Sequence, residues 1–95
     1  MSATILVIED HDAVRGVLRH QLEAAFPQCH VIEAGSGEEA IALIRNESPC
    51  LVVVDICLPG MNGIEATRQI KANLPSVSIV VWGFHNDDIY RTHAI

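Results

Sequence analysis

Four short runs of apolar, largely β-branched residues punctuate the chain: TILVIE at 4–9, HVIEA at 30–34, LVVVD at 51–55 and VSIVVW at 77–82. Between them, apolar residues recur at the three- and four-residue spacing of an amphipathic helix. The order predicts βαβαβαβ. The strands are apolar throughout instead of alternating, so both sheet faces must be covered. That places helices on both sides of a parallel sheet, joined by right-handed crossovers.

In the first helical segment Val14, Val17, Leu18, Leu22, Ala25 and Phe26 fall on one face, and Pro27 follows where a helix should stop. A core-facing helix started by Asp12 or a near neighbour is expected. Ser36 is placed to cap the second helix, with Glu39 as its capping-box partner ahead of Ala40, Ile41 and Ile44. The third opens at Asn62 with Glu65 three positions on, carries Ile64, Ile70 and Leu74, and ends at Pro75. A fourth helix is expected to begin near Asn86 and to run to Ile95.

Length and composition narrow the class. With 95 residues, 49% of them hydrophobic, the chain has room for one small domain over 1–95 and a single core. No apolar run approaches the roughly 18 residues of a membrane span. The opening MSATILVIED has neither a basic region nor a cleavage-like site, so a cytoplasmic protein that does not enter the membrane is expected. Cys29, Cys50 and Cys57 are odd in number and form no C-x-x-C pair, which argues against a disulfide framework or a zinc knuckle. The formal net charge is -6 with Lys and Arg scattered, so no direct contact with nucleic acid is expected of this segment.

The acidic positions change the picture more. In a parallel sheet Glu9 and Asp10 after strand 1, Asp55 at the end of strand 3 and Gly83 after strand 4 share one edge, the edge where such sheets bind ligands. If the strand order is 2-1-3-4, the three acids converge. Two unit charges about 4 Å apart repel by roughly 4 kcal/mol at a surface-like effective dielectric. Either one acid takes up a proton, or a hard divalent cation neutralises the cluster, and an all-oxygen set with room for water suits magnesium. Asp55 could then attack phosphorus and form an acyl phosphate. Asp12 reads better as a helix cap.

The stretches ILVIEDH and VVVDICLPGMNGIEA, set in this alternating pattern from Ile5 to the chain end, resemble the receiver domain of two-component response regulators. The resemblance is greatest to those with a LuxR-type helix-turn-helix output domain. It implies a flavodoxin-like, doubly wound α/β fold of strand order 2-1-3-4, here lacking the fifth strand and helix of a full receiver and so incomplete at the C-terminus. By the same resemblance Asp55 corresponds to the phosphoacceptor charged by a sensor histidine kinase, and Asp10 to a direct Mg2+ ligand. Glu9 corresponds to an outer or water-mediated ligand, and the backbone carbonyl of Cys57 to a further one. Pro59 and Gly60 shape the turn behind Asp55, and Gly63 lets the next helix begin close by. The implied role is stoichiometric phosphoacceptance, not turnover, in control of a transcriptional output domain outside this chain.

The pattern also departs from the family. Receivers usually carry Ser or Thr at the end of strand 4, followed by a small residue; here Gly83 and Phe84 stand at these phosphoryl-adjacent positions. The family's Lys after a fifth strand has no counterpart. Losing one preorganised donor could cost roughly 3 to 4 kcal/mol of phosphoryl stabilisation, so weak phosphorylation is expected. An alternative is a degenerate receiver that docks or dimerises without phosphate. Without a fifth strand, SIVVW would be an unblunted sheet edge, which predicts self-association through strand 4 and its flanking helix.

Other chemistries fit less well. GSGEEA at 35–40 mimics a dinucleotide fingerprint, but Glu38 and Glu39 would face the pyrophosphate. EDHD after strand 1 opposes an FMN phosphate, and Cys57 stands where an aspartyl phosphatase needs its second Asp. His11, Cys57 and His85 near the same edge could admit zinc or copper.

Overall fold

The computed structural model describes residues 3–55, 63–85 and 88–94, with side chains described through Val81. Strands β1 (Thr4–Ile8), β2 (His30–Ala34), β3 (Leu51–Asp55) and β4 (Ser78–His85) alternate with helices α1 (Asp12–Ala25), α2 (Gly37–Leu43) and α3 (Gly63–Asn73). The four strands are parallel in the order β2-β1-β3-β4, the order on which convergence of the acids depends.

The unbroken apolar runs are covered on both faces. Leu6, Ile8, Val52, Val54, Ile79 and Val81 project to one side and pack with Ala40 and Ile44 at α2 and with Ala66 and Ile70 of α3. Ile5, Val7 and Val31 project to the other, under Leu18 and Leu22 of α1. This second layer is thinner. With about 100° of rotation per residue, Val14, Leu18 and Leu22 lie near the middle of the apolar stripe of α1, whereas Val17 and Phe26 lie at its margins. The structure leaves those two exposed, at 56% and 41%, so the expected core-facing stripe is narrower than the sequence pattern.

The helix starts follow local chemistry, with two corrections. Ser36 caps α2 by accepting from the Glu39 amide at 3.0 Å. Glu39 reaches back as expected, but to the Gly35 amide and not to that of Ser36. The cap of α1 is His11, whose side chain makes no capping bond, and Asp12 is the first helical residue. Asn62, expected to open α3, lies outside the described residues.

The largest correction concerns the chain's end. Instead of a fourth helix there is a strand, β5 (Asp88–Ala94), antiparallel to β4 in a register running from His85↔Asp88 to Ile79↔Ala94. Ile89, Tyr90 and Thr92 are good strand formers, and β4 offers a row of backbone donors and acceptors that a helix would leave unpaired. The sheet therefore has a fifth member, against the expectation of none, although it runs opposite to the others. The uncovered β4 edge that motivated self-association through strand 4 and its flanking helix is taken by β5.

Candidate functional site

Ile8 of β1 is in register with Val54 of β3, so the next positions, Glu9 and Asp55, are neighbours at the carboxyl edge of the sheet. The Glu9 amide continues the ladder by donating to Ala34 O at 3.0 Å, and this holds the chain as it leaves β1. Asp55 ends β3, half-buried and in register with Trp82.

Glu9 is 1% exposed. Its carboxylate accepts from the His11 amide at 2.9 Å, and the His11 Nδ1 lies 3.2 Å from the same oxygen. Burial pushes its pKa up to about 7; the His11 amide opposes the rise, while Asp55 and Asp10 add to it. His11 is raised in turn by its bond to Glu9 and by the charges of Asp10 and Glu9. Burial thus favours the protonated form of Glu9, and the bond to Glu9 with the nearby acidic charges favours the protonated form of His11.

Asp10 is less well partnered. Among the described residues its Oδ1 is buried without a hydrogen-bond partner, and the His11 Nδ1 lies 3.4 Å away. One ligand atom each from Glu9, Asp10 and His11 lies within 4.8 Å of the others. A buried carboxylate oxygen lacking a donor, beside a glutamate too desolvated to ionise readily, is chemistry that a hard cation fits.

The remaining predicted residues distribute as follows. Gly63 is the buried first residue of α3, and its carbonyl accepts from Thr67 Oγ1 at 2.7 Å. Gly83 and Phe84 lie in β4, in register with Tyr90 and Ile89. Cys57, Pro59 and Gly60 lie outside the described residues. Two participants escaped the sequence reading. The sequence pattern marks His11 only as a transition-metal ligand, although a position two after Glu9 at a helix start allows its amide to reach back. Arg15 carries no such signal; its guanidinium donates to Glu9 O at 2.7 Å.

Comparison with known proteins places this geometry. The model of the response regulator receiver domain matches residues 5–95. The chain belongs to the receiver family. Among curated receiver proteins, the transcriptional activator ExaE of Pseudomonas putida is 39% identical over 83 residues, covering 87% of this chain and 39% of that protein. The transcriptional regulatory protein DegU of Brevibacillus brevis is 35% identical over 92 residues, covering 96% and 39%. A LuxR-family two-component response regulator from Aurantimonas sp. SI85-9A1 superposes with a TM-score of 0.81 at 37% identity, over 90% of this chain and 61% of that one. This receiver therefore spans about two fifths of the curated relatives it matches. Receiver domains are signalling modules that bind Mg2+ at an acidic site and work with sensor histidine kinases. Among the described residues no helix is long and apolar enough to cross a membrane.

Proposed function

We propose that this receiver accepts a phosphoryl group from a sensor histidine kinase on Asp55, with Mg2+ as cofactor, and thereby controls a transcriptional output domain outside the chain. The observation that carries the reading is the electrostatic imbalance at the sheet edge: a carboxyl group held near neutrality at Glu9 and an unpartnered buried oxygen on Asp10, next to Asp55. Asp10, Asp55 and the Cys57 carbonyl would hold the ion, with Glu9 as an outer or water-mediated ligand. When bound, the ion would supply positive charge for the phosphoryl oxygens and favour ionised carboxylates.

In the reaction, an Asp55 carboxylate oxygen attacks phosphorus, the bond from phosphorus to the donor's leaving group breaks, and an acyl phosphate remains on Asp55. The leaving group departs with the bonding electrons. Asp10 contributes negative charge where the cation is required, and Glu9 would add its own once the cation favours its ionised form. By the family resemblance Pro59 and Gly60 would shape the turn that follows Asp55, and Gly63 begins α3. The process is stoichiometric, and the protein acts in the cytoplasm.

Incubation with acetyl phosphate and Mg2+ tests this. Acid-labile phosphate is expected on wild type and absent from Asp55→Asn; equal labelling of both proteins would refute Asp55 as acceptor. Gly83, which has no hydroxyl, and Phe84 beside it favour a second reading, a docking module indifferent to phosphate. That reading requires partner binding unchanged by Asp55→Asn.

A further inference from the structure

Glu9 follows the last residue of β1, α1 begins three residues on at Asp12, and the Glu9 carbonyl oxygen lies at this junction. That oxygen is met by Arg15, one turn into α1. Nη1 of Arg15 donates to Glu9 O at 2.7 Å, Nε donates to Glu33 Oε1 at 3.2 Å, and Nη2 donates to Asp12 Oδ1 at 2.6 Å.

The same guanidinium lies against the loop after β2, where a Cβ on Gly35 would sit 3.5 Å from Nη1. Its side chain is only 18% exposed, compared with 45% for Arg19, so this is not an ordinary surface ion pair. The other carboxylate oxygen of Glu33, Oε2, accepts a separate, exposed bond from Arg19 Nη1 at 2.7 Å. The planar fork of Arg15 thus bridges the main chain at Glu9 to β2 and to the first turn of α1.

We infer that Arg15 is a positioning residue for the carboxylate site, clamping the main chain at Glu9 with Glu33 as its anchor on β2. It acts through the backbone: its donor meets the Glu9 carbonyl oxygen, while the Glu9 carboxylate is held by the His11 amide. The clamp fixes where the carbonyl at Glu9 points. It therefore fixes the geometry in which the Glu9 carboxylate meets the His11 amide and in which Asp10 is presented. Partners outside the ligand set commonly set metal affinity in this way.

The inference rests on the Mg2+ reading for one readout and is independent of it for the other. Arg15→Met keeps the apolar stem and removes every donor, Arg15→Lys keeps one donor, and Glu33→Ala removes the anchor without touching the site. Arg19→Gln, which contacts Glu33 but not Glu9, is the control. Mg2+ affinity is measured by calorimetry on the whole chain, and the His11 amide is followed by NMR in metal-free protein. Arg15→Met is expected to weaken Mg2+ about tenfold. It should also move the His11 amide resonance toward that of a free amide, with Arg15→Lys recovering part of both losses. Glu33→Ala should shift both readouts in the same direction, Arg19→Gln should leave them near wild type, and the double variant Arg15→Met/Glu33→Ala should be no weaker than Arg15→Met alone.

Lower melting temperatures with an unmoved Mg2+ affinity and an unmoved His11 amide would overturn the inference and leave Arg15 a purely structural residue. Should Arg15→Met fail to fold, Glu33→Ala decides by the same criteria. If wild type binds no Mg2+, the metal reading fails, and the His11 amide alone upholds or refutes the clamp.

Discussion

Replacing Glu9 by Gln gives the sharpest energetic test of the carboxylate cluster. The Glu9 side chain is buried, and its pKa is raised from 4.5 to about 7, chiefly by desolvation. An acid whose folded-state pKa exceeds its unfolded value binds more protons when folded, so its contribution to stability is fully present below about 4.5. That contribution is lost as pH rises through about 7. At about 1.4 kcal/mol per pH unit, the full loss is of the order of 3 kcal/mol. Gln matches the protonated carboxyl in size and cannot ionise, so the variant should escape this loss.

In EDTA, urea titrations of the two proteins should nearly coincide below about pH 4.5 and diverge as pH rises from there to about 7, with Glu9→Gln the more stable by roughly 2 to 3 kcal/mol at neutral pH and above. His11 reinforces the sign, because its raised pKa is set first by Glu9. With Mg2+ the gap should narrow: wild type gains stability by linkage, and the variant, having lost a carboxylate, gains less. Parallel stability curves for the two proteins between about pH 4.5 and 7 in EDTA would refute the claim that Glu9 is held near neutrality by burial.

Three further outcomes are expected. Ile70 of α3 is fully buried against the β-sheet, so Ile70→Ala should lower the unfolding free energy by about 2 to 5 kcal/mol with an unchanged urea m-value. At Gly16, inside α1, an added Cβ would meet nothing within 4 Å, so Gly16→Ala should stabilise by about 0.5 to 1 kcal/mol in the same assay. Gly83→Thr would supply a hydroxyl at the end of β4; phosphorylation by acetyl phosphate, followed by intact mass, should accelerate by roughly tenfold or more, and an unchanged rate would show that no donor is missing there.

The sheet core and its chemical edge were legible because the signals are local. Runs such as LVVVD without alternation demand cover on both faces, and acids placed at strand ends fall on one edge whenever the strands are parallel. Ser36 and Glu39 announced their helix for the same reason, through bonds spanning three and four residues. The chain's end was misread because Asn86, Asp87 and Asp88 suit a helix start as well as a chain reversal. What decides between them is nonlocal: the hydrogen-bonding edge of β4, which no pattern within 86–95 reveals. Arg15 was invisible for a related reason, since its partners Glu9 and Glu33 lie 6 and 18 positions away and meet only once β1, β2 and α1 are assembled. Val17 and Phe26 belong to the helical stripe by spacing, yet the width of the sheet beneath α1 sets how much of that stripe is covered.

The most direct test of the central claim is calorimetric titration of MgCl2 into metal-free wild type and Asp10→Asn at slightly alkaline pH. A single saturable site in wild type, lost or greatly weakened in Asp10→Asn, is the predicted result. Equal binding by the two proteins, or no saturable heat in wild type, would contradict the account of converging carboxylates as a cation site beside Asp55.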